Sequence, residues 1–166
     1  LQQKINKLNK YSSSPSLSRK AKKNIVEADI IIYCSGTQHS SLLPSYMTKN
    51  LSKIIKNARG FKVFVTNIGA DYETPNYSAS EYVLNAYNYL NRSNQSNHIK
   101  NFFDCNLINF TNFKKNYSYV KVDKQNLANN GINNIIDSFE DKSLLGNHNG
   151  KKLLNTVLSE YEKFKK

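Results

Sequence analysis

The residues of this chain that could do chemistry gather in two short stretches, each directly behind an apolar run. The first, Cys34-Ser35-Gly36-Thr37-Gln38-His39-Ser40-Ser41, holds a glycine, four hydroxyls and an imidazole. Glycine lets backbone approach a ligand closely, hydroxyls both donate and accept, and a helix starting behind the loop would offer free N–H groups and a positive dipole end. Phosphate suits such a loop. The same residues could also do no more than cap a helix and ease a turn. The second stretch, Asn67-Ile68-Gly69-Ala70-Asp71-Tyr72-Glu73-Thr74, carries an amide able to donate and accept, or simply to form a turn. Its Asp71 and Glu73 are the carboxylates of the two loops. They could orient a sugar hydroxyl, bind a divalent cation beside a phosphate, or stay solvated. His39 could donate to a phosphate oxygen or be incidental, and His148, between Asn147 and Asn149, could reach an anion or help cap the last helix. His98 falls in a polar stretch and carries no argument. HExxH, GxxxxGK[ST], GxGxxG and a Ser-His-Asp order with a nucleophile elbow are absent, so hydrolase, kinase and ordinary NAD chemistry lack support.

These loops must be placed by the elements between them. Leu17 to Glu27 reads as a basic helix leading into Ile30-Ile31-Ile32-Tyr33, a β-branched run expected to be a buried parallel strand. Met47, Leu51, Ile54, Ile55 and Ala58 mark one face of a helix that Gly60 stops, and Phe61 to Thr66 repeats the strand pattern. Ser78-x-x-Glu81 is a capping box opening a helix with Tyr82, Val83, Ala86, Tyr87 and Leu90 on one side. Asn91 to Lys100 is an exposed connection, Cys105 to Phe110 a third strand, Tyr119 to Val122 a short fourth, Lys124 to Asn130 a short helix closed by Gly131, and Ile132 to Ile136 another strand. Leu153, Leu154, Val157, Leu158, Tyr161 and Phe164 form the apolar stripe of a last helix. Alternating strands and helices predict an α/β three-layer domain over 17–166 with a mainly parallel sheet. Residues 1–16, with Leu1, Ile5 and Leu8 at helical spacing before the interruption at Tyr11 to Ser16, read as a helix end or as a frayed or truncated segment. In such a sheet the ligand crevice lies beyond the carboxyl ends of the strands, so the loops after Tyr33 and Thr66 should share one mouth.

A chain of 166 residues with 39% hydrophobic residues can build one real core. Its charge of +12 raises a polyanion as partner, but 24 basic residues include only Arg19, Arg59 and Arg92 as arginines. Asparagine takes about one position in seven, and a joint excess of Lys, Asn, Ile and Tyr is what a coding bias toward A and T produces. The lysines are dispersed, so nucleic acid is not the expected partner, while a general attraction for nucleotides follows from the field. Cys34 and Cys105 stand far apart without a CxxC, no apolar run suits a membrane, and the first residue is not Met. A cytoplasmic chain that begins inside a longer protein is the expectation.

Ala28-Asp29-Ile30-Ile31-Ile32-Tyr33-Cys34-Ser35-Gly36-Thr37-Gln38-His39-Ser40-Ser41-Leu42-Leu43-Pro44 resembles the ADxIxxGPGSxxTSxxP segment of the CofD/YvcK family. Lys62 to Asn67 with Glu73-Thr74 is similar to its KVYVxN…ET segment, Tyr77-Ser78 to Val83 to its GYSxxDHV helix start, and His148-Asn149-Gly150-Lys151-Lys152-Leu153 to its HDxxKLA helix. The resemblance implies the C-terminal part of a Rossmann-like domain. Its members either transfer a phospholactyl group from a guanosine diphosphate-linked donor to a deazaflavin precursor, or bind nucleotide sugars in control of carbon metabolism and cell shape. Carried over by position, Gly36, Thr37, Ser40 and Ser41 would hold phosphate or the second substrate, Asn67, Glu73 and Thr74 would line the crevice, and His148 would lie near it. Catalytic residues are not assigned. The family pattern further implies Mg2+ in the intact protein, held by ligands of an N-terminal half without counterpart here, and leaves a homodimer open. The family's first glycine and proline are replaced by Cys34 and Ser35, and the Asp after the last His by Asn149.

Overall fold

Four apolar runs become the strands of one sheet in the structure, a computed structural model that describes residues 2–11, 15–92, 98–111 and 116–166. They are β1 (Ile30–Tyr33), β2 (Phe61–Val65), β3 (Cys105–Asn109) and β4 (Asn133–Asp137). The order is β1-β2-β3-β4 and every pairing is parallel, with Ile30 opposite Phe61, Val63 opposite Cys105 and Cys105 opposite Asn133. β2 and β3 are buried along their whole length, Lys62, Asn106 and Asn109 included.

Three helices close the crossovers: α4 (Leu51–Asn57), α5 (Ala79–Leu90) and α6 (Lys124–Asn129). Tyr33, Phe64 and Ile108 of the sheet join Leu51, Ile55, Tyr82, Val83, Ala86, Tyr89 and Leu127 of these helices in one core, so all three lie on the same face. A consecutive strand order with right-handed crossovers requires this. Tyr33, Phe64 and Phe103 meet edge-on or tilted at its centre, with ring centroids 4.8 to 6.4 Å apart. Two more helices precede β1: α1 (Gln2–Tyr11), and α2 (Arg19–Glu27), which Ser18 caps by accepting from Ala21 N and which packs near α4. The opposite face is covered by α7 (Gly150–Phe164), where Val157 is buried against a second core of Phe61, Val63, Cys105, Leu107 and Phe139. Helices, sheet and helix make the three expected layers.

Two expectations change. The helix expected from Met47 to Ala58 is broken. A π-helical turn (Gln38–Leu42) runs into α3 (Leu43–Tyr46), and Asn50, at φ 67°, turns the chain before α4. At the start of the described residues Gln2–Tyr11 is helical, one of the two readings open for that segment. Tyr119 to Val122 is not a strand of the sheet. It is extended, but it clasps loops: Val120 N donates to Ile68 O (2.9 Å), Ala70 N to Ser118 O (2.9 Å) and Ala79 N to Lys121 O (2.8 Å). Alternation reported the extended backbone and could not report that its partners are loop residues. Ser12 to Ser14, part of the Asn91 to Lys100 connection, and Lys114 and Lys115 lie outside the described residues. No described helix is long and apolar enough to cross a membrane.

Candidate functional site

Because β1 and β2 are parallel neighbours, their carboxyl ends deliver the two chemistry-bearing loops side by side. Asn67, two residues past the end of β2, clamps the first loop. Gly36 N donates to its Oδ1 at 3.0 Å, and its Nδ2 donates back to Gly36 O at 3.0 Å. One amide thus satisfies both polar groups of Gly36 and fixes the turn after β1. The expected contact residue is therefore first a positioning residue.

Glu73 makes the second tie. Its Oε2 accepts from His39 N (2.7 Å) and Ser40 N (3.2 Å), the second and third amides of the π-helical turn that begins at Gln38. The helix start expected to offer free N–H groups to a phosphate is in part already held by the protein's own carboxylate. Burial works to raise the pKa of Glu73, but hydrogen bonds from the side chain and backbone of Ser40 and the backbone of His39 hold it below the usual range. Asp71 supports Glu73 from behind: its Oδ1 accepts from Glu73 N (2.8 Å), Thr74 N (3.0 Å) and Thr74 Oγ1 (3.1 Å). Thr74 is fully buried, and since its hydroxyl donates to Asp71, the Tyr82 hydroxyl at 2.7 Å donates to it. Thr74 shapes the loop rather than facing the mouth.

The third side comes from a residue remote in sequence. His148 Nδ1 lies 3.4 Å from Ser35 Oγ. It is held there by an antiparallel bridge to Glu140, by Asn149 N donating to Phe139 O (2.7 Å), and by Asn149 capping α7 through Lys152 N (2.9 Å). Burial lowers the pKa of His148, partly opposed by a hydrogen bond with the Thr66 backbone, so the ring is neutral near pH 7. The mouth is thus framed by residues 35–41, 67–74 and 148. Thr37, half-buried, starts the π-helical turn without a side-chain capping bond, and Ser40 and Ser41 are exposed on it. His39 turns away, with Nδ1 3.3 Å from the Tyr89 hydroxyl and Nε2 3.5 Å from that of Tyr77.

Two parts of this arrangement have no local signal. The Ser35 and His148 pair spans 113 positions. The loops after β2 and β4 are joined by Tyr117, whose hydroxyl fills the space a side chain would need at Gly69 and at Gly146. Tyr119 donates to the buried Glu140 carboxylate, which also accepts from Gly146 N at 2.8 Å. Only the glycines hint at it.

For a cation the fit is poor. Asp71 leaves Oδ2 buried without a hydrogen-bond partner, but a magnesium ion wants about six oxygens in octahedral array. Among the described residues no three His, Cys, Asp or Glu side chains form a group able to hold a metal.

A parallel sheet with helices on both faces, and glycine, amide, hydroxyl and imidazole groups gathered at the carboxyl ends of adjacent strands, defines a Rossmann-like α/β domain. The family model for 2-phospho-L-lactate transferase CofD matches residues 1–139, and the chain belongs to the CofD family. It is 32% identical over 71 residues to an Aquifex aeolicus (strain VF5) protein described as a gluconeogenesis factor, a match covering 42% of this chain and 22% of that one. Its fold is that of protein BH3568 from Bacillus halodurans, with a TM-score of 0.74 at 22% identity over 86% of this chain and 47% of that one. A second crystal structure of BH3568, described as a member of the UPF0052 family, gives a TM-score of 0.73 at 21% identity. The chain thus spans less than half the length of these relatives.

Proposed function

We propose that the protein is a CofD-like transferase component that binds a nucleoside diphosphate-linked substrate in this mouth and transfers a phosphoester group, in the manner of a 2-phospho-L-lactate transferase. The observation that carries the reading is the Gly36 turn, pinned on both its polar groups by Asn67 at the ends of two parallel strands, with His148 alongside. A pinned, side-chain-free turn keeps backbone near a ligand without reorganisation on binding. The hydroxyls of Thr37, Ser40 and Ser41 would donate to phosphate oxygens, and neutral His148 would hydrogen-bond the ligand or hold a proton at Nδ1. The reading includes a nucleotide or nucleotide-sugar ligand, an N-terminal half as partner, magnesium held outside these residues, and a cytoplasmic setting. No step is routed through the metal.

The similarity to a gluconeogenesis factor favours a second reading, a nucleotide-sugar-binding regulator without turnover. One experiment separates them. The protein is titrated with GDP and nucleotide sugars while its melting temperature is followed, and is then given donor and acceptor together. Stabilisation with product supports the transferase, and stabilisation without product supports the regulator. No stabilisation, or stabilisation unchanged in Thr37→Leu and Ser41→Leu, removes this mouth from either role.

A further inference from the structure

A second concave site shares no residue with the mouth. α5 and α6 begin side by side, because Ser78 bridges Lys121 in parallel and Ala79 N donates to Lys121 O at 2.8 Å. Between them runs a groove of about 550 Å³. Its floor is Ser78, Ser80, Glu81 and Asp123, with both serines buried. Its rim carries the asparagines Asn76, Asn126, Asn129 and Asn130, with Lys121 and the exposed Leu84. The floor is short of hydrogens. Ser80 gives its backbone N–H to Asp123 Oδ1 at 3.0 Å and its hydroxyl to Asp123 Oδ2. Ser78 Oγ stands 2.8 Å from Glu81 Oε2 and 3.0 Å from Asp123 Oδ2, yet a hydroxyl donates one hydrogen. One of these two contacts is therefore oxygen against oxygen. A proton held by Asp123 does not fill the gap near neutral pH: burial works to raise its pKa, but hydrogen bonds from Ser80 and Asn126 hold it below the usual range. A donor entering from the groove relieves the contact.

The surroundings choose the kind of donor. A divalent cation would find two carboxylates, with both oxygens of Asp123 already accepting, and no three ligating side chains group together among the described residues. A free ammonium would have to approach a chain of charge +12 and pass Lys121. A hydroxyl carries no charge, and it both donates and accepts, as the side-chain amides on the rim do. Leu84 adds apolar surface for the C–H side of a ring. We propose that this groove is a further binding site, for a neutral polyhydroxylated ligand, a sugar or cyclic polyol, whose hydroxyls donate to Glu81 and Asp123 and bond the rim asparagines. Its volume lies within the span of small-molecule pockets, about 300–1,000 Å³. The site does not depend on transfer chemistry in the mouth, so either reading can fail without the other.

The test titrates the protein with glucose, myo-inositol and maltotriose while backbone amide NMR shifts are recorded, with calcium and putrescine titrated in parallel. The expected result is saturable shifts confined to residues 76–84 and 121–130 with at least one of the three polyols. A free sugar and the end unit of a longer glycan share this chemistry, and maltotriose binding more tightly than glucose assigns the longer one. Glu81→Gln keeps the capping box and supplies the missing hydrogen, so it should weaken binding about tenfold. Asn129→Leu, at an exposed rim position, should weaken binding with the melting temperature unchanged. No saturable shift with any polyol, shifts confined to 35–41 and 67–74, occupancy by calcium or putrescine in place of the polyols, or polyol binding indifferent to both substitutions would overturn the inference.

Discussion

Asn67 offers the sharpest perturbation of the site, because one side chain makes two hydrogen bonds to one glycine. In Asn67→Leu both 3.0 Å bonds to Gly36 disappear, which leaves its half-buried N–H without a partner and its carbonyl with only the 3.3 Å bond from Gln38 Nε2. At about 1 kcal/mol for each bond the loss is about 2 kcal/mol, which for a chain of this length lowers the melting temperature by about 4–8 °C. Asn67→Asp divides the effect: one oxygen still accepts from Gly36 N, while the other, a carboxylate, faces the Gly36 carbonyl and cannot donate. Its deficit should narrow as acidification protonates the carboxyl and restores a donor. Urea denaturation of the three proteins across pH gives these numbers directly. If Asn67→Leu costs less than about 0.5 kcal/mol, the level of an ordinary surface change, the clamp does not hold the loop and the reasoning fails.

Gly146→Ala places a side chain at φ 77° against the Tyr117 hydroxyl and should cost at least about 1–2 kcal/mol, with the steric part relieved in a Tyr117→Ala background; a double-mutant cycle without coupling contradicts it. Burial depresses the pKa of His148 below 6.5, so its contribution is complete above about pH 6.5 and drains away as pH falls toward the folded value. His148→Asn should remove that part of the pH dependence, measured by denaturation between pH 5 and 8. The Glu73 clasp is likewise intact above the ordinary carboxylate range and lost as pH falls through its lowered value, so Glu73→Gln should flatten the acid limb of stability and speed amide exchange at His39 and Ser40. Equal acid limbs would contradict it.

The layers and both mouth loops were legible because pattern carries that information: short runs with apolar centres beginning at Ile30, Phe61, Cys105 and Ile132, and the 3.6-residue stripe from Leu153 to Phe164. Adjacency of the mouths followed from parallel strands alone. What could not be read depends on contacts between remote residues. Thr74 looks like a contact residue until Asp71 and Tyr82 bury it. The amides of His39 and Ser40 look free until Glu73, more than thirty residues on, reaches them. The segment from Tyr119 to Val122 looks like a strand because extended backbone has the same alternation whether it pairs with a strand or a loop. Asn50, in the left-handed region, broke a helix whose apolar spacing continued across it.

Hydrogen exchange with and without GDP on the intact protein reads the mouth as a whole. Slower exchange confined to residues 35–41, 67–74 and around 148 is the result that this arrangement of two strand ends and one histidine requires. Protection elsewhere, with those three segments unchanged at saturating nucleotide, would show that the crevice does not seat the diphosphate.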